Sequence, residues 1–172
     1  MTLSVLVLGF VTLQRIGELV LARRNTARLR AQGAIEVGAR HYPAIVALHA
    51  AWLAGLWALA WDVPPSVPLL AIFIVLQAAR VWVVATLGDR WTTRILVLPQ
   101  VPLVRSGPYR FLRHPNYVVV TAEIAVLPLA FGLLAYALVF SVLNAAVLAV
   151  RIKAENDALA RVEQHSSSRG AP

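Results

Sequence analysis

The sequence has no cysteine, only eight acidic residues and little charge of any kind. Without cysteine the chain forms no disulfide and performs no thiolate chemistry. Zinc sites need three or more converging ligands, and His41 and His49, eight residues apart, do not supply them, so we expect no metal site. Charged residues make up 14% of the chain and hydrophobic residues 59%. Soluble domains are only about 45–50% apolar, so the composition indicates an integral membrane protein.

Three apolar segments have the length of a membrane-spanning helix. They are Leu3–Ala22, Tyr42–Trp61 and Pro68–Leu87, and about 20 residues are needed to cross roughly 30 Å of hydrocarbon. The first segment lacks a basic leader and a small-residue cleavage site, so we expect a retained helix rather than a signal peptide. No segment long enough for a large soluble domain is left over.

The last apolar stretch, Val118–Val150, is too long for one helix. Pro128 and Gly132 near its middle predict a hairpin of two helices, the first from Tyr117 to about Ala130 and the second from about 134 to 151. We therefore predict an all-α integral membrane protein with about five transmembrane helices, of which the last two form a hairpin. Residues 1–164 are predicted to form one membrane-embedded domain, and residues 165–172 a disordered tail.

Basic residues are distributed unevenly over the connections. The second connection, Trp61–Pro68, has none, whereas the first and third connections and the C-terminal end are rich in arginine. This is the positive-inside pattern. It places those arginine-rich parts in the cytoplasm and the N-terminus outside, and it accounts for the net charge of +8 without a nucleic-acid partner.

The stretch from Arg105 to Tyr117 is the most informative part of the sequence. It gathers arginine, histidine, tyrosine, asparagine and glycine directly before an apolar run, and such groups are costly in lipid unless a site needs them. Pro115 suits the first turn of a helix, which places His114 at its N-terminal cap. The free N–H groups of that turn favour an anion, such as the carboxylate of a cofactor.

The same stretch has a simpler interpretation. Arg110 and Arg113 extend to phosphate headgroups, while Tyr109 and Tyr117 lie in an interfacial belt. Tryptophans near the segment ends, Trp91 among them, belong to such a belt, and we assign them no chemistry. The residues alone leave both interpretations open.

Arg151 and Glu155 follow the last apolar arm. They are four residues apart, so they share one helical face and can pair. If the hairpin returns the chain to the cytoplasmic side, this pair lies on the same side as His114. The alternative is an ordinary surface ion pair at a helix end.

Four ionisable residues lie inside the apolar segments themselves. Arg15 and Glu18 are three residues apart and are predicted to neutralise each other, because an unpaired charge at that depth costs several kcal/mol. Arg80 and Glu123 pose the same question and are candidates to pair with each other. These residues form either a polar wall of a binding cavity or contacts between helices.

The Arg-His-Pro-x-Tyr core of Gly107–Tyr117, the hairpin after it, and Arg151 with Glu155 resemble the isoprenylcysteine carboxyl methyltransferase family. This similarity covers about residues 104–159, and a similar signature occurs in some sterol and phospholipid methyltransferases and reductases. The family usually has two adjacent glutamates where this chain has Glu155 and Asn156, so only Glu155 can carry their role.

The N-terminal half is similar to a bacterial branch of that family, which includes O-methyltransferases of alkylpyrones and phenolic lipids. The similarity lies in Gln14-Arg15-x-x-Glu18-Leu, Ala22-Arg-Arg-Asn25, Gly33-Ala-x-Glu36-x-Gly38 and His41-Tyr-Pro43.

The resemblance implies S-adenosylmethionine as the methyl donor, bound at the cytoplasmic face of a multi-pass protein in a bacterial plasma membrane. It implies Arg151 and Glu155 as catalytic residues at the point where a lipophilic acceptor arrives from the bilayer. An isoprenylcysteine-type carboxylate would use Arg151 to orient its charge, and a hydroxyl acceptor would also need Glu155 as a base. The implied cofactor-binding residues are Arg105, Gly107, Tyr109, Arg113, His114, Pro115 and Tyr117. The expected acceptor-binding residues are Arg15, Glu18, Glu123 and Asn144.

Two other classes of function compete with this one. A non-catalytic membrane protein, such as a transporter subunit or scaffold, is disfavoured because the polar groups concentrate at one face and no paired broken segments indicate inverted repeats. A membrane lipid reductase sharing the His-Pro-x-Tyr region would bind a nicotinamide in place of S-adenosylmethionine.

Overall fold

Five α-helices make up most of the protein. The computed structural model describes residues 2–98 and 101–169, and it describes their side chains except at 2, 159 and 161–169. The helices are α1 (Thr2–Ala31), α2 (Tyr42–Ala60), α3 (Val67–Leu87), α4 (Pro115–Ala130) and α5 (Leu134–Arg169). Two short strands, β1 (Ile35–Val37) and β2 (Ile95–Val97), and three 3₁₀ turns, Ala39–His41, Gly88–Arg90 and Gly107–Arg110, lie in the connections.

Four of these helices contain stretches long and apolar enough to cross a membrane: Leu3–Ala31, Ala39–Ala60, Val67–Arg90 and Leu134–Ala158. The fifth, α4, has 16 residues, which at 1.5 Å per residue span about 24 Å. Large apolar side chains such as Leu13, Val75 and Val142 are exposed on the outer faces of the bundle, where lipid would cover them. The structure confirms the prediction of an all-α, multi-pass membrane protein.

The predicted hairpin is present, but Pro128 does not end its first arm. Helix α4 continues to Ala130, and the chain turns at 131–133. Proline lacks an N–H, so the carbonyl of Ile124, four residues earlier, loses its helical partner. The indole Nε1–H of Trp52 donates to that carbonyl at 3.3 Å. Helix α2 therefore satisfies a backbone group that would be costly to leave unpaired in a membrane.

The core of the bundle lies between α1, α2, α3 and α4 at the end that lacks basic residues. Leu8, Trp52, Phe73 and Leu127 are among its fully buried members. Two hydrogen bonds fasten the loops here: Ser4 Oγ donates to the Val63 carbonyl at 2.6 Å, and the Ser66 N–H donates to the Ala130 carbonyl at 2.7 Å. This rigid end positions the helices whose opposite ends carry the arginines.

A two-stranded antiparallel sheet at the basic end was not predicted. Ile35 lies opposite Val97 and Val37 opposite Ile95, so β1 and β2 join the first and third connections. Glu36 accepts hydrogen bonds from Arg30 and Arg94. Burial alone would raise the pKa of Glu36, but these two arginines outweigh it and hold that pKa below its ordinary value. The sheet packs against α5 at Ala158 and so closes the basic end of the bundle.

Helix α1 is longer than the predicted apolar segment. Its arginine-rich second half continues the helix to Ala31, beyond the predicted end at Ala22. Helix α5 is likewise described to Arg169, which includes part of the predicted tail. Residues 170–172 of that tail lie outside the described residues, and the boundary at 164 stays a prediction.

Candidate active site

An open cavity of about 1130 Å³ lies at the basic end of the bundle. Its lining includes Leu29 of α1, Leu87 of α3, Tyr117 of α4 and Arg151 of α5. Strand β2 and the connection after it supply much of the remaining wall. Ligand pockets are usually about 300–1,000 Å³, so this cavity is large enough for a cofactor-sized molecule.

The loop before α4 reaches the cavity because Gly107 lies close to α3. Gly107 has a φ of 55°, and a Cβ at that position would lie 2.6 Å from Thr86 Oγ1. Both the backbone conformation and the close approach therefore favour glycine. The 3₁₀ turn that begins at Gly107 carries Tyr109 and Arg110 to the cavity wall.

Arg151, Tyr117 and Glu155 form a hydrogen-bonded chain on that wall. Arg151 Nε donates to the Tyr117 hydroxyl at 2.8 Å, and that hydroxyl donates to Glu155 Oε2. The direct ion pair that the spacing of Arg151 and Glu155 allows is absent among the described residues, where Tyr117 links the two side chains instead. Both residues lie on one face of α5, as their four-residue spacing predicts, but the phenol of Tyr117 from α4 lies between the two side chains.

His114 is joined to the same group. Its ring stacks on that of Tyr117 with centroids 5.2 Å apart, and its Nδ1 lies 3.8 Å from Glu155 Oε2. Its Nε2 lies 3.3 Å from Asn156 Oδ1, a contact in which the Nε2–H tautomer donates. As predicted, His114 occupies the N-cap position of α4, where its side chain makes no capping hydrogen bond, and Pro115 lies in the first turn. Asn156, treated in the sequence only as a departure from the family, thus positions the histidine.

Tyr109 adds a neutral phenol to the wall. Burial raises its pKa, and the negative charge of Glu155 raises that pKa further, so the hydroxyl keeps its proton at neutral pH and can donate a hydrogen bond.

The cavity carries a strong excess of positive charge. Six arginines and one glutamate line it, which leaves a formal excess of five positive charges. Arg94 is offset by Glu36 outside the lining, and Arg90 donates to the Pro102 carbonyl at 2.9 Å. Such a wall favours an anionic ligand or a ligand with an anionic group. The lining arginines are Arg90, Arg94, Arg105, Arg110, Arg113 and Arg151.

Two buried polar atoms of lining residues have no hydrogen-bond partner in the described part of the protein. They are Trp91 Nε1 and Asn116 Oδ1. Buried polar atoms are nearly always paired in native proteins, so each exception needs an explanation. Sequence reasoning assigned no role to either residue, because a tryptophan after a helix end is indistinguishable from a headgroup anchor.

Most predicted cofactor-binding residues come together at the cavity. Gly107 and the buried Pro115 shape the loop without belonging to the lining. The lining residues among those predicted, catalytic ones included, are Arg105, Tyr109, Arg113, His114, Tyr117, Arg151 and Glu155.

The predicted acceptor-binding residues do not line this cavity. Asn144 is buried and donates to Thr121 Oγ1 at 3.2 Å. Arg15, Glu18 and Glu123 belong to a separate cluster between α1, α3 and α4, so their binding role stays a prediction without support from the cavity geometry.

That separate cluster, which we call the inner cluster, consists of Arg15, Glu18, Arg80 and Glu123. Arg80 Nη1 donates to Glu123 Oε2 at 2.7 Å and Arg80 Nη2 to Glu18 Oε2 at 2.7 Å. Arg15 donates to Glu18 at 2.9 Å and to Glu123 at 2.8 Å. The predicted pairs Arg15–Glu18 and Arg80–Glu123 are confirmed. Each carboxylate has two arginine partners, which offsets the cost of burying charge.

Comparison with known proteins agrees with the site. The model of the isoprenylcysteine carboxyl methyltransferase family matches residues 69–161, which include the whole loop before α4 and the Arg151–Tyr117–Glu155 chain. The uncharacterized protein YpbQ of Bacillus subtilis is 40% identical over 159 residues, 90% of this chain and 95% of that protein. An uncharacterized protein of Haemophilus influenzae is 30% identical over 155 residues, 86% of this chain and 90% of that protein. No solved structure matches the chain.

The chain therefore belongs to the isoprenylcysteine carboxyl methyltransferase family. At the level of the family it is a membrane methyltransferase, with an apolar bundle in the bilayer and its cavity at the basic end.

Proposed function

We propose that the protein is an S-adenosylmethionine-dependent O-methyltransferase that acts on a lipophilic acceptor. The observation that carries the proposal is the Arg151–Tyr117–Glu155 chain on the wall of a large cavity at the end of the membrane-spanning helices. It places a fixed cation and a carboxylate together where a molecule dissolved in the bilayer can present its polar head.

The residues of the cavity fit the cofactor. When bound, S-adenosylmethionine supplies a methyl group on a sulfonium. Arg105 and Arg113, both exposed on the lining, would hold its carboxylate. The unpaired Asn116 Oδ1 would accept a hydrogen bond from its ammonium or hydroxyl groups, and His114, Tyr109 and Tyr117 would complete the wall.

Arg151 and Glu155 have free capacity for an acceptor. The guanidinium of Arg151 uses Nε for Tyr117, and its two terminal nitrogens make no hydrogen bond within the described residues. They can therefore orient an anionic or developing negative oxygen. Glu155 accepts from Tyr117 through Oε2 only, so Oε1 can take the proton of a hydroxyl acceptor.

A hydroxyl of an alkylpyrone or phenolic lipid is the acceptor that these residues favour. A carboxylate acceptor is already ionised at neutral pH and needs no base, whereas an acceptor that must lose a proton can give it to the Glu155 oxygen beside the cationic Arg151. An isoprenylcysteine-type carboxylate is the alternative for the experiment to decide.

The cavity faces the cytoplasm in this proposal. The ends of α1 and α3, the start of α4 and the later part of α5 meet at the cavity, and these carry the arginines, whereas the opposite end carries none. Because the chain has no cysteine, single cysteines at Ser66 and Ser106 can be labelled selectively in intact cells and in inverted vesicles. Labelling of Ser106→Cys from outside the cell would reverse the orientation.

Ligand-dependent stability tests the proposal directly. A ligand that binds only the native state raises the unfolding temperature, so S-adenosylhomocysteine should stabilise the detergent-solubilised protein and NADPH should not. Stabilisation by NADPH alone would indicate a reductase. Purified protein should also transfer a labelled methyl group from S-adenosylmethionine to a long-chain alkylresorcinol or alkylpyrone, and transfer only to a prenylcysteine would select the carboxylate acceptor.

A further inference from the structure

Trp91, in the wall of the cavity, carries a buried hydrogen-bond donor that has no partner among the described residues. It is only 3% exposed, lines the cavity, and its Nε1–H has no partner among the described residues. A tryptophan that only fills space, or that anchors a helix in the headgroup region, has no need of a buried and unpaired N–H. Desolvating such a donor is unfavourable, so its retention next to a cavity indicates a ligand that accepts from it.

The backbone of Trp91 is held from two sides. Its N–H donates to the Gly88 carbonyl at 3.0 Å. Asn25 of α1, which is 1% exposed, donates through Nδ2 to the Trp91 carbonyl at 2.8 Å and to the Gly88 carbonyl at 3.1 Å. The indole is therefore mounted on a fixed turn, which is how a recognition group is pre-organised for its ligand.

The position of Trp91 indicates the acceptor rather than the cofactor. It directly follows the apolar span that ends at Arg90, so it lies at the level where a lipid presents its polar head. The lining also has the apolar Leu29 of α1 and Leu87 of α3, and the two lining arginines nearest to Trp91 in the chain, Arg90 and Arg94, are already bound to the Pro102 carbonyl and to Glu36. The charged and phenolic residues that would hold the cofactor come from the loop before α4 and from α4 itself.

We propose that the Trp91 indole N–H recognises a neutral oxygen on the acceptor, separate from the oxygen that is methylated. This inference rests on the proposed function. The chemical class that it selects is an aromatic or pyrone head with two oxygens and a long apolar tail, in preference to a head with one.

Paired acceptors test this assignment. A long-chain alkylresorcinol has a second ring oxygen, and the matching meta-alkylphenol lacks it. Trp91→Phe should lower kcat/KM and binding affinity for the alkylresorcinol by about tenfold, the usual order for one hydrogen bond. Both values should be unchanged for the alkylphenol, and the affinity for S-adenosylhomocysteine should also be unchanged.

Two further variants separate the N–H from the bulk of the ring. Benzothienylalanine at position 91 keeps the shape of tryptophan and removes only the N–H, so it should reproduce the selective loss even if Trp91→Phe lowers stability. Trp61→Phe replaces an exposed tryptophan at the end of α2 that does not line the cavity. It should change kcat/KM and binding affinity for neither acceptor.

Each other outcome overturns a different statement. An equal loss for both acceptors means that Trp91 only packs, and a loss of S-adenosylhomocysteine affinity means that it contacts the cofactor. Acceptor binding that shows the selective loss without any methyl transfer overturns the proposed function and leaves the assignment of Trp91 intact. Transfer to both acceptors with no selective loss overturns the assignment and leaves the function intact.

Discussion

The protein has two polar clusters that differ in how completely they are paired. In the inner cluster, Glu18 and Glu123 are each bound by both Arg15 and Arg80. At the cavity, Arg151 binds Tyr117 through Nε and Glu155 binds it through Oε2. The other polar atoms of these two side chains make no hydrogen bond within the described residues. Both clusters contain arginine and glutamate, yet only the cluster at the cavity has hydrogen-bonding capacity left for a ligand.

Pairing therefore separates a structural cluster from a binding one. Charged side chains that are fully paired with one another in an apolar bundle hold helices together. Charged side chains that are fixed in position but keep free hydrogen-bonding atoms are suited to bind a ligand. Among the described residues, Arg15 Nε and the neighbouring Gln14 Oε1 and Gln77 Oε1 have no partner, but no carboxylate oxygen of the inner cluster is unpaired. The difference predicts that changes in the inner cluster affect stability and changes at the cavity affect turnover.

The largest effect is expected from breaking the inner cluster. Arg80→Ala leaves Glu18 and Glu123 with only Arg15 as a cationic partner, and removal of one member of a buried ion cluster costs about 3–5 kcal/mol. We expect a marked drop in the unfolding temperature in detergent and a poor yield of folded protein. Arg24→Ala, at an exposed position of α1, is the matched control and should have almost no effect.

A neutral replacement sharpens this test. Exchanging Arg15 and Arg80 for methionine together with Glu18→Gln and Glu123→Gln leaves no unpaired charge, so it should recover much of the stability that Arg80→Ala loses. A stable and folded Arg80→Ala protein that has lost only acceptor affinity would show instead that the inner cluster binds the acceptor.

A smaller effect, confined to turnover, is expected from the cavity pair. Arg151→Ala should impair methyl transfer to every acceptor. Glu155→Gln keeps the shape but removes the base, and it should lower turnover of a phenolic acceptor by roughly 10²-fold at neutral pH. Near the pKa of a phenol, about 10, the acceptor ionises unaided and the loss should shrink. The measurement is a turnover–pH profile on an alkylresorcinol.

Asp157→Asn, an exposed neighbour on α5, controls for a general change of charge and should follow the wild-type profile. A Glu155→Gln profile parallel to wild type would leave Glu155 as a positioning residue. With a carboxylate acceptor, which is already ionised at neutral pH, no rescue by alkali is expected.

The sequence predicted the helices because their signals are local. Apolar length identified the spans, and Gly132 with Pro128 located the hairpin. Spacing along a helix also placed Arg15 beside Glu18, and the interior position of Arg80 and Glu123 suggested their pairing, since a lone charge in that environment is so costly.

The missed features depend on contacts between distant parts of the chain. Strands β1 and β2 have three residues each and are separated by 57 residues, too short and too far apart to give a periodic signal. The phenol of Tyr117 between Arg151 and Glu155 follows from how α4 packs on α5. The role proposed for Trp91 depends on Asn25, which lies 66 residues away, so no local pattern distinguishes this tryptophan from a headgroup anchor.

The smallest effect is expected from a change at His114. His114 contacts Tyr117 by stacking and Asn156 through Nε2, and it supports little of the apolar core. His114→Ala should therefore leave the unfolding temperature nearly unchanged while weakening S-adenosylhomocysteine binding by about tenfold, the effect of one lost hydrogen bond. Isothermal titration in detergent is the measurement.

Phe111→Ala, at an exposed position of the same loop that does not line the cavity, is the control and should bind S-adenosylhomocysteine like wild type. Equal affinity in a folded His114→Ala protein would return this loop to the headgroup-anchoring interpretation, and the boundary between binding and structural clusters would then have to be drawn at Arg151, Tyr117 and Glu155 alone.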